Sequence, residues 1–218
     1  MFFETAKNIL LIVSALFPIV NPIGGSPVFL LLTQDYSRES RKLLAGRVAI
    51  NSFILLIVSV VVGTHILSFF GISLPVVQVG GGMIVISTGW AMLTRSDQAD
   101  RGQMHQVVSR EDVLSHAFYP LTLPLTVGPG SISVAITLGA NVPRHLGANV
   151  LALISAAIGA ALIAAMIYVS YGYADRLAAI VGPSGMNVIL RLSSFLLVCI
   201  GVQIFWNGLS GLIKTLKI

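Results

Sequence analysis

The residues best suited to chemistry are four neutral polar side chains, Asn21, Ser26, Thr126 and Ser131, each set among prolines and glycines inside an apolar run. The two segments that carry them read Phe17-Pro-Ile-Val-Asn-Pro-Ile-Gly-Gly-Ser-Pro27 and Tyr119-Pro-Leu-Thr-Leu-Pro-Leu-Thr-Val-Gly-Pro129. Pro18, Pro22 and Pro27 return as Pro120, Pro124 and Pro129, each 102 residues later. These residue types recognise ligands. Amides and hydroxyls donate and accept hydrogen bonds, and Gly24, Gly25, Gly128 and Gly130 let a ligand approach the backbone closely.

Each proline removes a backbone donor and crowds the preceding turn, so three within ten residues leave carbonyls unpaired. In hydrocarbon such irregular backbone survives only when buried in protein or lining a polar cavity. Ser26 before Pro27 reads as an N-cap and first helical position, and Gly128 before Pro129 as the matching start. Both starts are expected to present N–H groups and a positive dipole end to an anionic group such as a carboxylate. Asn21, Pro22, Gly24, Gly25, Ser26, Thr126, Gly128, Pro129, Gly130 and Ser131 are therefore the candidate substrate-binding residues. A pair of broken apolar segments at corresponding places in two halves points to a transporter site; two plain proline kinks are the bland alternative.

The elements that must position these residues are membrane helices. The chain is 56% hydrophobic and 10% charged, with mean hydropathy +0.92, whereas a soluble domain carries about a quarter charged residues. Six apolar spans are expected, at 8–33, 43–70, 74–94, 115–139, 147–171 and 188–213, the first and fourth broken. The first lacks a small-residue cleavage site after a basic start, and is expected to stay in the mature protein. Nine of the 13 Lys and Arg residues fall at the first, third and fifth connections: Arg38, Arg41, Lys42, Arg47, Arg95, Arg101, Arg110, Arg176 and Arg191. Lys7, Arg144, Lys214 and Lys217 lie on the other side. The positive-inside rule then puts both termini outside and the polar connection 95–112 in the cytoplasm. The pI of 9.7 follows from this bias and does not call for nucleic acid. Three spans per half make the repeat inverted: 1–94 and 113–218 are the two three-helix units, joined by the 95–112 linker.

Asn21-Pro22-Ile23-Gly24, Pro124-Leu-Thr-Val-Gly128-Pro129-Gly130, the run Val79-Gly-Gly-Gly-Met83, and Arg191-Leu-Ser-Ser-Phe-Leu-Leu-Val-Cys-Ile-Gly-Val-Gln203 followed by Asn207-Gly208-Leu209 together resemble the MarC family over the whole chain. The resemblance implies a six-span bacterial inner-membrane protein, grouped with small neutral amino acid transporters. Carried over by residue, it points to Asn21, Pro22, Gly24, Pro124, Gly128, Pro129 and Gly130. One departure is Thr122, where the family pattern has alanine; its hydroxyl either lines the site or bonds its own helix.

All eight Asp and Glu residues lie outside the expected spans. Proton coupling through an intramembrane acid is therefore disfavoured, while Na⁺ held by carbonyls, Asn and Ser stays open; no cofactor or metal is expected. His65 and His116 read as interfacial, and Arg191 either snorkels to the interface or reaches inward toward a carboxylate. Gln78, beside Gly80–Gly82, reads as packing with pathway lining as the second reading. Ala152, Ala156, Ala160 and Ala164 form a small-residue packing stripe. Cys199, alone in the chain, forms no internal disulfide and reads as packing. Gly208-Leu209-Ser210-Gly211 has the form of an intramembrane serine protease motif, but no histidine follows it as base. With no zinc-protease helix motif and no phosphate loop, the expectation is not an enzyme but a secondary transporter of a small neutral amino acid or similar zwitterion. Its partners are lipid and a small-molecule substrate, with homo-oligomerisation open. A non-transporting scaffold or regulatory protein is the main rival, ahead of a passive channel or drug exporter.

Overall fold

Prolines, caps and glycines divide this apolar chain into helices at places that local chemistry explains. The computed structural model describes residues 2–33, 36–94, 117–140 and 146–215. The 95–112 linker, His116 and Arg144 lie outside the described residues. Eight helical segments follow in order: α1 (Phe2–Val20), α2 (Pro22–Leu32), α3 (Arg38–Phe69), α4 (Leu74–Thr94), α5 (Ala117–Thr126), α6 (Pro129–Ala140), α7 (Leu146–Gly172) and α8 (Ala174–Thr215). Among the described residues there is no strand. α3 starts where the Ser37 hydroxyl accepts from Ser40 N–H (3.1 Å) and Glu39 sits in the first turn, both favourable at a helix N-terminus. It stops at Gly71, whose φ of 66° suits the left-handed residue that closes a helix. α8 is interrupted at Gly182 (φ 73°).

Five stretches are long and apolar enough to cross a bilayer: Thr5–Leu30, Arg38–Phe69, Leu74–Thr94, Val150–Gly172 and Ser184–Thr215. The stretch expected as a fourth span is instead divided between the irregular α5 and the 12-residue apolar α6. Leu10, Phe69, Trp90, Val150, Val188 and Trp206 are exposed around the bundle. So much outward apolar surface fits lipid as the solvent. The buried core is built from Leu16, Val20, Phe29, Leu44, Val48, Leu56, Ile163, Ile167 and Tyr171.

The main helix contacts join one half of the chain to the other: α4 with α8, α3 with α7, α3 with α6, and α1 with α7. They also come in counterpart pairs, since α2–α8 is matched by α4–α6 and α1–α7 by α3–α5. Small residues let α4 and α8 touch backbone to backbone. A Cβ at Gly82 would lie 2.5 Å from the Phe205 nitrogen and 2.8 Å from the Gly201 carbonyl, so Gly82 is held to glycine by packing. Ala156 and Ala160 are buried in α7, as the alanine stripe requires.

At one end of the bundle the turn after α2 meets the start of α8. Arg41 donates from Nε and Nη2 to the Thr33 carbonyl (3.2 and 2.8 Å) and from Nη2 to the Tyr36 carbonyl (3.2 Å). Its Nη1 donates to Asp175. This buried guanidinium satisfies the negative end of α2 and ties the first and fifth connections to the same face. Asp175→Ala strands a cation whose side chain is 9% exposed, and is expected to cost roughly 2–3 kcal/mol. Arg38→Ala removes a 3.8 Å contact from a side chain 79% exposed and should cost less than about 0.5 kcal/mol. Denaturant titration in detergent distinguishes the two, and equal losses would deny Arg41 this role.

Candidate functional site

In the first proline segment, Asn21 forms the break. It adopts left-handed backbone geometry (φ 47°, ψ 57°), and its side-chain oxygen accepts from Gly24 N–H (3.2 Å). Asparagine tolerates this conformation and caps well, and Pro22 at the first helical position needs no N–H. The expected start at Ser26 is therefore corrected: α2 begins five residues earlier. Ser26 lies inside the helix and donates to the Ile23 carbonyl (2.7 Å), the carbonyl that Pro27 has no N–H to serve.

The second segment is broken differently. Tyr119 (φ −123°, ψ 125°) and Leu123 (φ −111°, ψ 125°) are extended, and each precedes a proline, which disfavours the α conformation there. Each threonine hydroxyl turns back on its own segment, Thr122 donating to Ala117 O and Thr126 to Leu121 O, each at 2.7 Å. Thr122 is fully buried and bonded to its own segment, so it does not line the site. The regular helix resumes only at Pro129, as expected. Corresponding prolines thus do different jobs: Pro22 opens α2, but its counterpart Pro124 lies within α5, and Pro129 opens α6.

Between the two segments and α4 lies a cavity of about 570 Å³, within the usual range for small-molecule sites. Asn21, Gly25, Thr126, Gly128, Pro129, Gly130 and Ser131 all line it, with Ile19 and Val20 from the end of α1. Among the described residues no charged one does. Pro22, Gly24 and Ser26 do not line it. Gly24 is instead where α2 meets α8, since a Cβ there would lie 2.6 Å from Ser193 Cβ. Gln78 bonds Thr137 (3.4 Å) and joins α4 to α6. Arg191 is exposed and outside the cavity.

The donors facing the cavity are not equal. Thr126 commits its only proton to Leu121, so the Tyr171 hydroxyl at 3.0 Å is the donor of the bond between them. Thr126 is thereby occupied within the protein. The α2 start is also occupied, because Asn21 caps it. The α6 start is not. Gly128 has no side chain with which to cap it, and the Ile132 N–H is already bonded to Gly128 O (3.1 Å). The N–H groups of Gly130 and Ser131, two of the first four of α6, are among the donors such a helix start leaves without an intrahelical acceptor. Ser131 is 2% exposed as a residue and its hydroxyl makes no hydrogen bond to another described residue, whereas the fully buried side-chain atom without a partner among the described residues is Ser52 Oγ of α3.

Sequence reasoning missed two parts of this site. Ser87 and Thr88 of α4 line it alongside Ile84, Val85, Ala91 and Met92; two adjacent hydroxyls in an apolar span were the available signal. Tyr171, near the end of α7, is fully buried, stacks on Phe29 (4.5 Å between centroids) and touches both broken segments through Gly25 and Thr126. Among the described residues no cluster of three His, Cys, Asp or Glu could hold a metal.

A model of the MarC family of integral membrane proteins matches residues 6–213, and the chain belongs to that family. It is similar to the UPF0056 membrane protein YvbG of Bacillus subtilis, 30% identical over 93% of this chain and 94% of the relative. It is also similar to the UPF0056 inner membrane protein MarC of Escherichia coli (30% identical, 92% and 93% covered) and to a UPF0056 membrane protein of Archaeoglobus fulgidus (30%, 90% and 90%). No solved structure matches the chain significantly.

The Tyr171 contact yields a double-variant test. A Cβ at Gly25 would lie 2.6 Å from the Tyr171 oxygen but 3.4 Å from the next ring atom. Gly25→Ala alone is expected to destabilise by about 1–3 kcal/mol, and Tyr171→Phe alone by about 1 kcal/mol through the lost Thr126 bond. The double variant should be more stable than the sum of the two losses, because removing the oxygen relieves the clash. Strict additivity in denaturant titrations would place Tyr171 away from Gly25.

Proposed function

We propose that this MarC-family protein is a secondary transporter for a small neutral amino acid or similar small zwitterion, bound in the cavity between the two proline-broken segments. The observation that carries the reading is the uncapped start of α6, with Ser131 beside it, opening into a cavity whose described lining holds no charged residue. Such a start attracts a carboxylate. The end of α1 supplies the complement. Pro22 has no N–H for the Pro18 carbonyl, and the negative end of the α1 dipole at Ile19 and Val20 adjoins the same cavity. A zwitterion thus fits with its carboxylate at Gly130 and Ser131 and its ammonium toward α1. A buried ionic side chain on the ligand would find no countercharge, which is costly.

The counterpart helix contacts support two inverted three-helix repeats, with α5 and α6 together making the fourth of six crossings. Alternating access would then come from one repeat moving against the other. We place both termini outside and the odd connections in the cytoplasm, on the basic-residue bias. Ser87, Thr88 and Met92 put the cavity in the half of α4 nearer Thr94, the end that adjoins the third connection. The reading needs no enzyme chemistry and no cofactor, and keeps Na⁺ as the coupling-ion candidate. A scaffold would have no use for an unpartnered hydroxyl facing a cavity.

Counterflow of labelled alanine, serine and glycine in proteoliposomes tests the substrate. The free amino acids should compete and their amides, lysine and glutamate should compete poorly. Ser131→Ala removes one hydrogen bond to a charged group, worth about 1.5–3 kcal/mol, and should weaken binding about 10- to 100-fold. Competition by amides equal to that of the acids would discard the carboxylate anchor, and binding of bulky apolar cations alone would favour a drug exporter. Gly130 is less informative, because its substitution also presses on Val85 of α4.

Orientation is read separately. On a Cys199→Ser background, a cysteine at position 103 should react with an impermeant thiol reagent only after the cytoplasmic side is exposed. Labelling from outside in intact cells would invert the topology.

A further inference from the structure

We propose that a groove between α3 and α7, away from the transport cavity, binds an anionic phospholipid through its phosphate. The groove encloses about 450 Å³ and is lined by Glu39, Lys42, Leu43, Gly46, Arg47 and Ile50 of α3, with Tyr168 of α7 opposite. The α3 residues share one helix face, at spacings of three and four. Gly46 makes the groove: a Cβ there would come within 3.8 Å of the Tyr168 ring, so any larger side chain would begin to fill the gap. Leu43 and Ile50 are 49% and 55% exposed, as expected of a surface lying against acyl chains.

The charges identify the occupant. Arg47 is the last charged residue before Arg95, so it marks where α3 enters hydrocarbon, about 14 Å along the helix from Arg38. Helical side chains tilt toward the N-terminus, which brings the Arg47 guanidinium back toward the level of Lys42. Lys42 lines the groove, and its ammonium lies 5.7 Å from the Tyr173 ring centroid. Among the described residues neither cation has an ion-pair partner. Two unpaired cations at a lipid boundary are satisfied by a headgroup phosphate.

Two cations against the Glu39 carboxylate leave the lining net positive, and Arg176, over the same Tyr173 ring as Lys42 (5.3 Å to the centroid), adds to the attraction for a phosphodiester. A headgroup bearing hydroxyls can donate to Glu39, whereas a second negative charge would be repelled by it. The occupant is therefore a lipid of the phosphatidylglycerol type, from the leaflet bordering the first and fifth connections.

Native mass spectrometry of the detergent-purified full chain, titrated with phosphatidylglycerol, phosphatidylcholine or phosphatidylethanolamine of matched acyl chains, tests this. Phosphatidylglycerol should bind about tenfold more tightly than phosphatidylcholine, through its attraction to the two cations. Lys42→Ala with Arg47→Ala should abolish that preference, and Gly46→Leu should lower phosphatidylglycerol binding with both cations still present. Inorganic phosphate at millimolar concentration should not displace the lipid. Retained preference in the double variant, equal binding of phosphatidylethanolamine, or displacement by phosphate would each overturn the assignment.

Discussion

A backbone carbonyl or N–H that has lost its helical partner must find another when no water is near, and this structure is organised around that constraint. Six prolines in two segments create the deficit. Ser26 meets part of it by donating to Ile23, while Thr122 and Thr126 bond back to carbonyls of their own segment and Arg41 satisfies the end of α2. These polar side chains are therefore mostly structural, although their positions among the prolines first suggest ligand contacts. What stays unpaired beside the cavity, among the described residues, includes the start of α6, the Ser131 hydroxyl and the carbonyl end of α1; away from it, Ser52 Oγ is buried without a partner.

The sequence made the helices and the two breaks legible, because long apolar runs and proline leave few alternatives in lipid. It did not show which proline opens each half-helix. Ser26-Pro27 and Asn21-Pro22 are both acceptable cap-and-start pairs; the choice fell to Asn21, which can take the left-handed turn while its side chain caps Gly24. Tyr171 was hidden for another reason. Its role comes from contacts with Gly25 and Thr126, which are remote in sequence, and no local pattern distinguishes such a tyrosine from the interfacial ones common at span ends. Arg191 reads the same way as Arg41 in sequence, yet one is exposed and the other buried against Asp175, a difference set by which helices meet.

The two halves are not separate cores. Their main interfaces cross from one half of the chain to the other, and the glycines of α4 and α8 bring those helices into backbone contact. Because tightly packed interfaces have discrete arrangements more readily than gradual ones, motion of one half against the other would proceed as a shift of whole contact sets. The Arg41–Asp175 contact joins the end of the first broken segment to the start of α8, so it belongs to the set that such a shift must either carry along or break. Tyr171 is placed similarly, since its hydroxyl and ring touch a broken segment from each half.

An inverted pair with two equivalent helix starts would offer a ligand two equivalent anion sites, and a zwitterion could bind either way round. Here the equivalence is lost through one side chain. Asn21 occupies its own helix start, whereas the corresponding place before α6 is Gly128, which cannot. The positive end that faces the cavity is therefore α6, and the negative end that faces it is α1. Two opposed helix ends, with about half a charge each, favour a ligand that is neutral overall but internally polar over one with a net charge. On the proposed reading, selectivity for a small zwitterion then follows from how the two repeats differ, while the route across the membrane follows from how they match.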